Sequence, residues 1–272
     1  MSSCYLKTIM KITLMHGCGN NYGIIEDLDG ELEPHYKRLS QQISRTMGSD
    51  GVLFVCKGER TDYRMRIFNP DGSEAEMCGN GIRLFARYLY DKGIVKELEV
   101  PIETYDGSIV VLPKLKIENG EVVSVTVDMG KGKLLDRKCI QINDTTFYGD
   151  HISVGNPHYV ILTDEASKSM AIKYGPLIEM HESFRPERTN VEFAKPWRDK
   201  MRLYVWERGA GLTQACGTGA CAAVFAGYKR GLNGSDVKVF LPGGALEVSI
   251  RDDDNIFLTG PAEYIDEYYI EL

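Results

Sequence analysis

Beyond Gly81, apolar residues fall at Ile82, Phe85, Ala86 and Leu89, the i, i+3, i+4, i+7 spacing of one helix face. Arg83, Arg87 and Asp91 fall on the other face, which the pattern assigns to water, and Gly93 supplies a stop. A second helix is predicted over residues 220–228, where no side chain is charged. A helix apolar all round is a buried one. Lys229 and Arg230 then suit the negative end of its dipole. Short β-branched runs at 108–112, 122–127, 203–206, 237–241 and 246–250 read as strands, bounded by Gly, Asp and Pro. The first patterned strand starts at Met10, and residues 1–9 read as an extension. Helices follow runs of strands instead of alternating with them, which favours an α+β class over a doubly wound sheet.

The pattern occurs twice. Cys78-Gly79-Asn80-Gly81 returns as Cys216-Gly217-Thr218-Gly219, 138 residues later. Upstream, Gly19-Asn20-Asn21-Tyr22 followed by Gly23-Ile24-Ile25 matches Gly155-Asn156-Pro157-His158 followed by Tyr159-Val160-Ile161, at an offset of 136. Downstream, Lys92-Gly93, a strand and Asp106-Gly107 match Arg230-Gly231, a strand and Gly243-Gly244. Three features in one order at nearly the same offset indicate two copies of a module, joined near residues 128–132. The expectation is two pseudo-symmetric domains, 1–128 and 129–260.

Composition narrows the class. Of 272 residues, 43% are apolar and 26% charged, as in a globular protein. No run approaches the roughly 18 apolar residues of a membrane helix, and residues 1–9 lack the apolar segment of a secretory signal. A net charge of −7 without a basic block argues against nucleic-acid or anionic-membrane partners. Seven cysteines without a CxxC pair disfavour a disulfide scaffold or a zinc ribbon, so the expectation is free thiols, a cytoplasmic location and no metal.

Each CGxG cysteine stands at a helix start, where unpaired N–H groups and the positive dipole end favour a thiolate. The same N–H groups can hold a carboxylate, and glycines let it approach. Two such starts suit inversion at a carbon: one thiolate removes a proton from one face, and the other thiol returns one to the opposite face. N–H groups aimed at the carboxylate would stabilise the enediolate that forms between the two transfers. For Cys4, Cys18, Cys56, Cys139 and Cys221 the expectation is simple burial. A Cys78–Cys216 disulfide, a turn at Asn156-Pro157-His158 and a weak surface pair at Glu207-Arg208 stay open as plainer alternatives. Glu207 nevertheless stands nine residues before Cys216, as Asn69 does before Cys78.

Six segments carry a resemblance: Met15-His16-Gly17-Cys18-Gly19-Asn20, Phe68-Asn69-Pro70-Asp71-Gly72-Ser73, Cys78-Gly79-Asn80-Gly81-Ile82-Arg83, Gly155-Asn156-Pro157-His158, Thr189-Asn190-Val191-Glu192-Phe193, and Glu207-Arg208-Gly209-Ala210-Gly211 with Ala215-Cys216-Gly217-Thr218-Gly219-Ala220-Cys221. In this order they resemble the diaminopimelate epimerase family, from about Met10 to the C-terminus. The resemblance implies a cofactor-independent epimerase interconverting LL- and meso-2,6-diaminopimelate, in the route to lysine and peptidoglycan. It implies two domains, each a mostly antiparallel sheet wrapped around a central helix, with 261–272 returning to the first and the active site in the cleft between them. It marks Cys78 and Cys216 as catalytic and His158 and Glu207 as tuning them. Asn20, Asn69, Asn156, Asn190, Gly79-Asn80, Gly217-Thr218 and Glu207-Arg208 become substrate-binding, and a homodimer is implied. The chain departs from the commonest pattern at Asn21-Tyr22, where many members have Asp-Phe. It departs also at residues 48–51, which lack a glutamine found in some members, at Leu212, where an acidic residue is frequent, and at Asp266, where some carry a dimer-contact tyrosine. The alternatives are a two-cysteine racemase for lanthionine or histidine, a two-lobed amino-acid-binding protein, and a thiol redox protein.

Overall fold

The computed structural model describes residues 9–75, 78–105, 107 and 109–271, the last by its backbone alone. The strands are β1 (Ile9–Gly17), β2 (Asn20–Asp27), β3 (Gly51–Lys57), β4 (Tyr63–Phe68), β5 (Glu74–Ala75), β6 (Ile102–Thr104), β7 (Ile109–Val111), β8 (Lys114–Glu118) and β9 (Glu121–Lys131). They continue as β10 (Lys133–Ile142), β11 (Thr145–Ser153), β12 (Pro157–Leu162), β13 (Asn190–Glu207), β14 (Gly211–Leu212), β15 (Asn233–Leu241), β16 (Gly244–Ile250), β17 (Asn255–Gly260) and β18 (Glu263–Glu271). The α-helices are α1 (Tyr36–Met47), α2 (Gly79–Asp91), α3 (Lys168–Glu179) and α4 (Gly217–Lys229).

One sheet runs β18-β1-β2-β3-β4-β6-β7 with β5 on β4; the other runs β10-β11-β12-β13-β15-β16-β17-β9-β8 with β14 on β13. Most neighbours are antiparallel, so the α+β class and the mostly antiparallel sheets hold. The parallel joins explain the helices. Parallel neighbours need a long crossover, usually helical. β2 and β3 are parallel, and α1 spans them; β4 and β6 are parallel, and α2 spans them. The second sheet repeats this: α3 spans the parallel pair β12 and β13, and α4 spans β13 and β15. The copies differ at β13, which does the work of β3 and β4 together. Arg198, at φ 56°, follows the stretch paired with β12 and opens the stretch paired with β15.

The chain packs as two units, one running to Val125 and taking in the segment from Ala262, the other Thr126–Pro261. In the first unit β18 pairs antiparallel with β1. A core of Ile12, Tyr36, Leu39, Ile43, Val52 and Phe54 lies under α1, with Tyr36 stacked on Phe54. The second unit has a core of Tyr159, Ile161, Ile178, Val191 and Phe193 under α3.

The central helices are the most enclosed elements. α2 packs on β1, β2, β3, β4 and β8; α4 packs on β11, β12, β13, β15, β16 and β17. In α4 every residue from Gly219 to Gly227 is buried, as its uncharged sequence predicts. In α2 the pattern misleads at one position. Arg83 does not face water; it is 0% exposed. Residues 79–86 are all buried, so the first two turns of α2 have no wet face. The guanidinium folds back, donating to Gly79 O at 2.9 Å and to Asn80 Oδ1 at 2.8 Å. Both helices stop in one way: Gly93 and Gly231 take φ 68°, with N–H groups returning to Tyr90 O and Tyr228 O. The strand expected at 108–112 is the shorter β7; Ser108, Asp106 and Cys4 lie outside the described residues. No described helix is long and apolar enough to cross a membrane.

Candidate active site

Cys78 and Cys216 are the N-caps of α2 and α4. Their backbones nearly coincide, at φ −142°, ψ 114° and φ −131°, ψ 111°. Each sulfur accepts the N–H three residues on, from Gly81 or Gly219, at 3.3 Å. A thiol thus does what a Ser or Asp side chain does at most caps. The motif's last glycine is needed for space. A Cβ on Gly219 would stand 3.0 Å from Glu192 Oε1 and 3.2 Å from Cys216 Sγ; one on Gly81 would stand 3.2 Å from Leu53 Cδ2. The N–H groups of Gly79, Asn80, Gly217 and Thr218 belong to first turns, where the helix has no carbonyl for them.

In the first unit Cys78 is half-buried, and the Tyr22 hydroxyl lies 3.3 Å from its sulfur. Asn80 turns its Oδ1 to Arg83. Asn20 opens β2 opposite Gly17. Asn69 follows β4 and heads a turn: its Nδ2 donates to Ser73 Oγ at 3.0 Å, and Asp71 Oδ1 takes the Ser73 N–H at 2.8 Å.

The second unit surrounds its cysteine with a chain of polar groups. Glu192 Oε1 lies 2.7 Å from His158 Nδ1, and His158 Nε2 lies 2.9 Å from Asn156 Oδ1. Asn156 Nδ2 reaches Thr218 Oγ1 at 3.5 Å, which is 3.5 Å from Cys216 Sγ. The ring of His158 thus bridges Glu192 and Asn156 through its two nitrogens. Both His158 and Glu192 are 0% exposed. Asn190 pins the surrounding loops: Nδ2 donates to Pro157 O and Oδ1 accepts the Arg208 N–H, each at 2.9 Å. The Arg208 side chain is exposed and donates to Glu187 O at 2.7 Å.

The electrostatics differ from the expectation of a helix start alone. Burial pushes the Cys216 thiol well above its ordinary range, and the negative charges of Glu207 and Glu192 push it further; the Thr218 and Gly219 hydrogen bonds oppose this only in part. Burial is the largest cause, and Cys216 is 5% exposed. Burial likewise raises Glu192, against the pull of His158. Among the other cysteines, Cys18 and Cys221 are buried and Cys56 is half-buried, but Cys139 is exposed. Cys139 lies on β10, an edge strand with a neighbour on one side only among the described residues.

Three residues of these surroundings carry no role in the sequence reading. Glu192 was legible as one acid within the apolar run Val191–Phe193. Tyr22 stands at the repeat offset from His158. Glu179, at the end of α3, accepts from Trp206 Nε1 at 2.8 Å and from Gly209 N at 3.0 Å, and so holds the loop that carries Glu207 and Arg208. Nothing in the local sequence points to this role of Glu179, because the loop partners it holds lie 27 and 30 residues away.

The family model described as diaminopimelate epimerase matches residues 12–135 and 151–265. The chain is 40% identical to diaminopimelate epimerase of Moorella thermoacetica, over 93% of this chain and 96% of that one. It is 38% identical to diaminopimelate epimerase of Bacillus licheniformis, over 94% and 96%. Among solved structures, a PhzF-family phenazine biosynthesis protein of Bacillus anthracis superposes with a TM-score of 0.77 at 18% identity, over 97% of this chain and 100% of that one, a likeness of fold. The doubled cysteine caps, the repeated order of parallel joins and this similarity along both units make the chain a member of the diaminopimelate epimerase family.

Proposed function

We infer that this isomerase interconverts LL- and meso-2,6-diaminopimelate by proton transfer between carbon and two cysteines, without a cofactor. The observation that carries the reading is the duplication of one unusual feature: a cysteine N-cap whose sulfur accepts the third residue's N–H at 3.3 Å, once in each unit. One such cap is a local solution to a helix end. Two, in a family named for an epimerase, supply a base and an acid of the same chemical type.

In this mechanism Cys78, as thiolate, takes the α-proton from one face of the substrate. Cys216, held as a thiol by its burial, delivers a proton to the opposite face. The C–H bond breaks, its electron pair passes into the carboxylate as an enediolate, and a new C–H bond forms with inversion. The reverse direction exchanges the two roles. The first-turn N–H groups of Gly79-Asn80 and Gly217-Thr218 hold the reacting carboxylate, where they count most as charge develops on it. Asn20, Asn69, Asn156, Asn190 and the Glu207-Arg208 pair are assigned to the substrate's polar groups, with Arg208 suited to a carboxylate. Two amino-acid ends satisfy that many groups. A substrate with one end would engage fewer of them, which disfavours a mono-amino acid.

The test is incubation of the purified chain with LL-diaminopimelate in D₂O, with no added cofactor or metal, followed by mass and chiral analysis. Deuterium at one α-carbon of the meso product is expected. Recovery of unlabelled LL-diaminopimelate overturns the reading, and inversion of lanthionine or histidine instead would move it to the racemase alternative.

A further inference from the structure

We propose that Tyr22 is a positioning residue for Cys78: its hydroxyl donates to the sulfur and stabilises the thiolate, the part that Thr218 plays at Cys216. The inference rests on the two-thiol reading above for its catalytic meaning, but not for its geometry. Each sulfur sits in the same ligand set, one backbone N–H and one hydroxyl. At Cys216 these are Gly219 N–H at 3.3 Å and Thr218 Oγ1 at 3.5 Å. At Cys78 the first is Gly81 N–H at 3.3 Å. The residue equivalent to Thr218 there is Asn80, which has no hydroxyl and gives its Oδ1 to buried Arg83. The hydroxyl comes from another strand: Tyr22 Oη is 3.3 Å from Cys78 Sγ.

Tyr22 is built into this place. It is 7% exposed, and its ring lies over Gly51, where a Cβ would stand 3.0 Å from Tyr22 Cε1. Gly51 is the residue that β3 sets directly beside Tyr22 in the parallel pair. The repeat gives the position a second meaning. Tyr22 is offset by 136 from His158, the ring that leads through Asn156 and Thr218 to the other sulfur. The two copies therefore serve their sulfurs from equivalent strand positions with different chemistry, a direct phenol in one and a relayed imidazole in the other. When Cys78 is a thiolate, sulfur can only accept, so the phenol must donate. Its proton stays on oxygen while the sulfur takes the proton from carbon.

The experiment measures alkylation of each cysteine by iodoacetamide at pH 7.5, without substrate, resolved by peptide mass spectrometry. In Tyr22→Phe the ring remains and one donor is lost. A tenfold loss of thiolate at Cys78 is expected. Because a more basic thiolate is also more nucleophilic, its alkylation slows only about threefold. Cys216, in the same molecule, keeps its wild-type rate. The rate of diaminopimelate inversion falls about tenfold. A second measurement avoids any folding defect of the variant: wild-type chain grown with 3-fluorotyrosine, a stronger donor, is expected to alkylate faster at Cys78 and unchanged at Cys216. Equal Cys78 rates in wild type and Tyr22→Phe, or no response to the fluorinated ring, overturn the proposal. A wild-type chain that shows the alkylation effect but inverts no diaminopimelate leaves it standing and sinks the proposed reaction instead.

Discussion

Replacing Glu192 by Gln separates the two things this buried acid does. Its Oε1 holds His158 Nδ1 at 2.7 Å, while its Oε2 is buried with no hydrogen-bond partner among the described residues. Gln keeps an acceptor for His158 but sets an NH₂ group where Oε2 already lacks a partner. One buried unpaired donor costs about 1–3 kcal/mol. In a unit of this size that lowers the melting temperature by about 3–9 °C. The charge acts separately: Glu192 is one of the groups that push the Cys216 thiol up, so removing it should let Cys216 ionise at lower pH. The activity is expected to fall about 10–100-fold, because an amide holds the His158 ring less tightly than the carboxyl group does, and the chain through Asn156 to Thr218 starts from that ring. Calorimetry, peptide-resolved alkylation of Cys216 and initial rates by chiral chromatography read the three effects. A variant that melts lower while Cys216 alkylates at the wild-type rate and inversion is undiminished would refute the coupling between Glu192 and the sulfur.

Three further outcomes are expected. Gly219→Ala should cost more activity than Gly81→Ala, because its Cβ would stand 3.2 Å from the sulfur of Cys216, against 3.7 Å from that of Cys78; equal loss in parallel kinetic assays would contradict this. Glu179→Ala should raise KM more than it lowers kcat and reduce the melting temperature, since Trp206 Nε1 and Gly209 N lose their acceptor; an unchanged KM would show that the loop holds itself. Burial pushes the Cys56 thiol up to about 11. The folded chain then keeps a proton that the unfolded chain loses near pH 9. That stability is complete below about pH 9 and disappears as pH rises through about 11, worth about 3 kcal/mol. Denaturant titrations should show a shallower alkaline decline for Cys56→Ala; parallel declines would contradict the assignment.

How far the sequence reached depends on the range of the interactions. The two central helices were legible because apolar spacing is local, and the repeat located both cysteine caps without any long-range information. Arg83 was misread because spacing alone cannot tell that residues 79–86 are enclosed on all sides. Helices α1 and α3 were missed for different reasons. α1 has a clear apolar stripe at Tyr36, Leu39 and Ile43 that went unread, whereas α3 carries Pro176 inside it and a weak pattern. The parallel joins would have demanded both, but strand partners are not visible in one sequence. A helix start in the sequence implies the cap geometry but not the larger effect at Cys216, since burial beside Glu192 and Glu207 follows from the tertiary fold.

The proposed inversion requires two thiols working from opposite faces of one carbon. The direct measurement is α-proton washout in D₂O from each diaminopimelate stereoisomer by Cys78→Ala and Cys216→Ala. Each variant is expected to lose inversion and keep slow exchange with retention on one stereoisomer only, and the two variants should select opposite stereoisomers. Inversion at the wild-type rate in either variant, or the same stereoisomer exchanged by both, would contradict it.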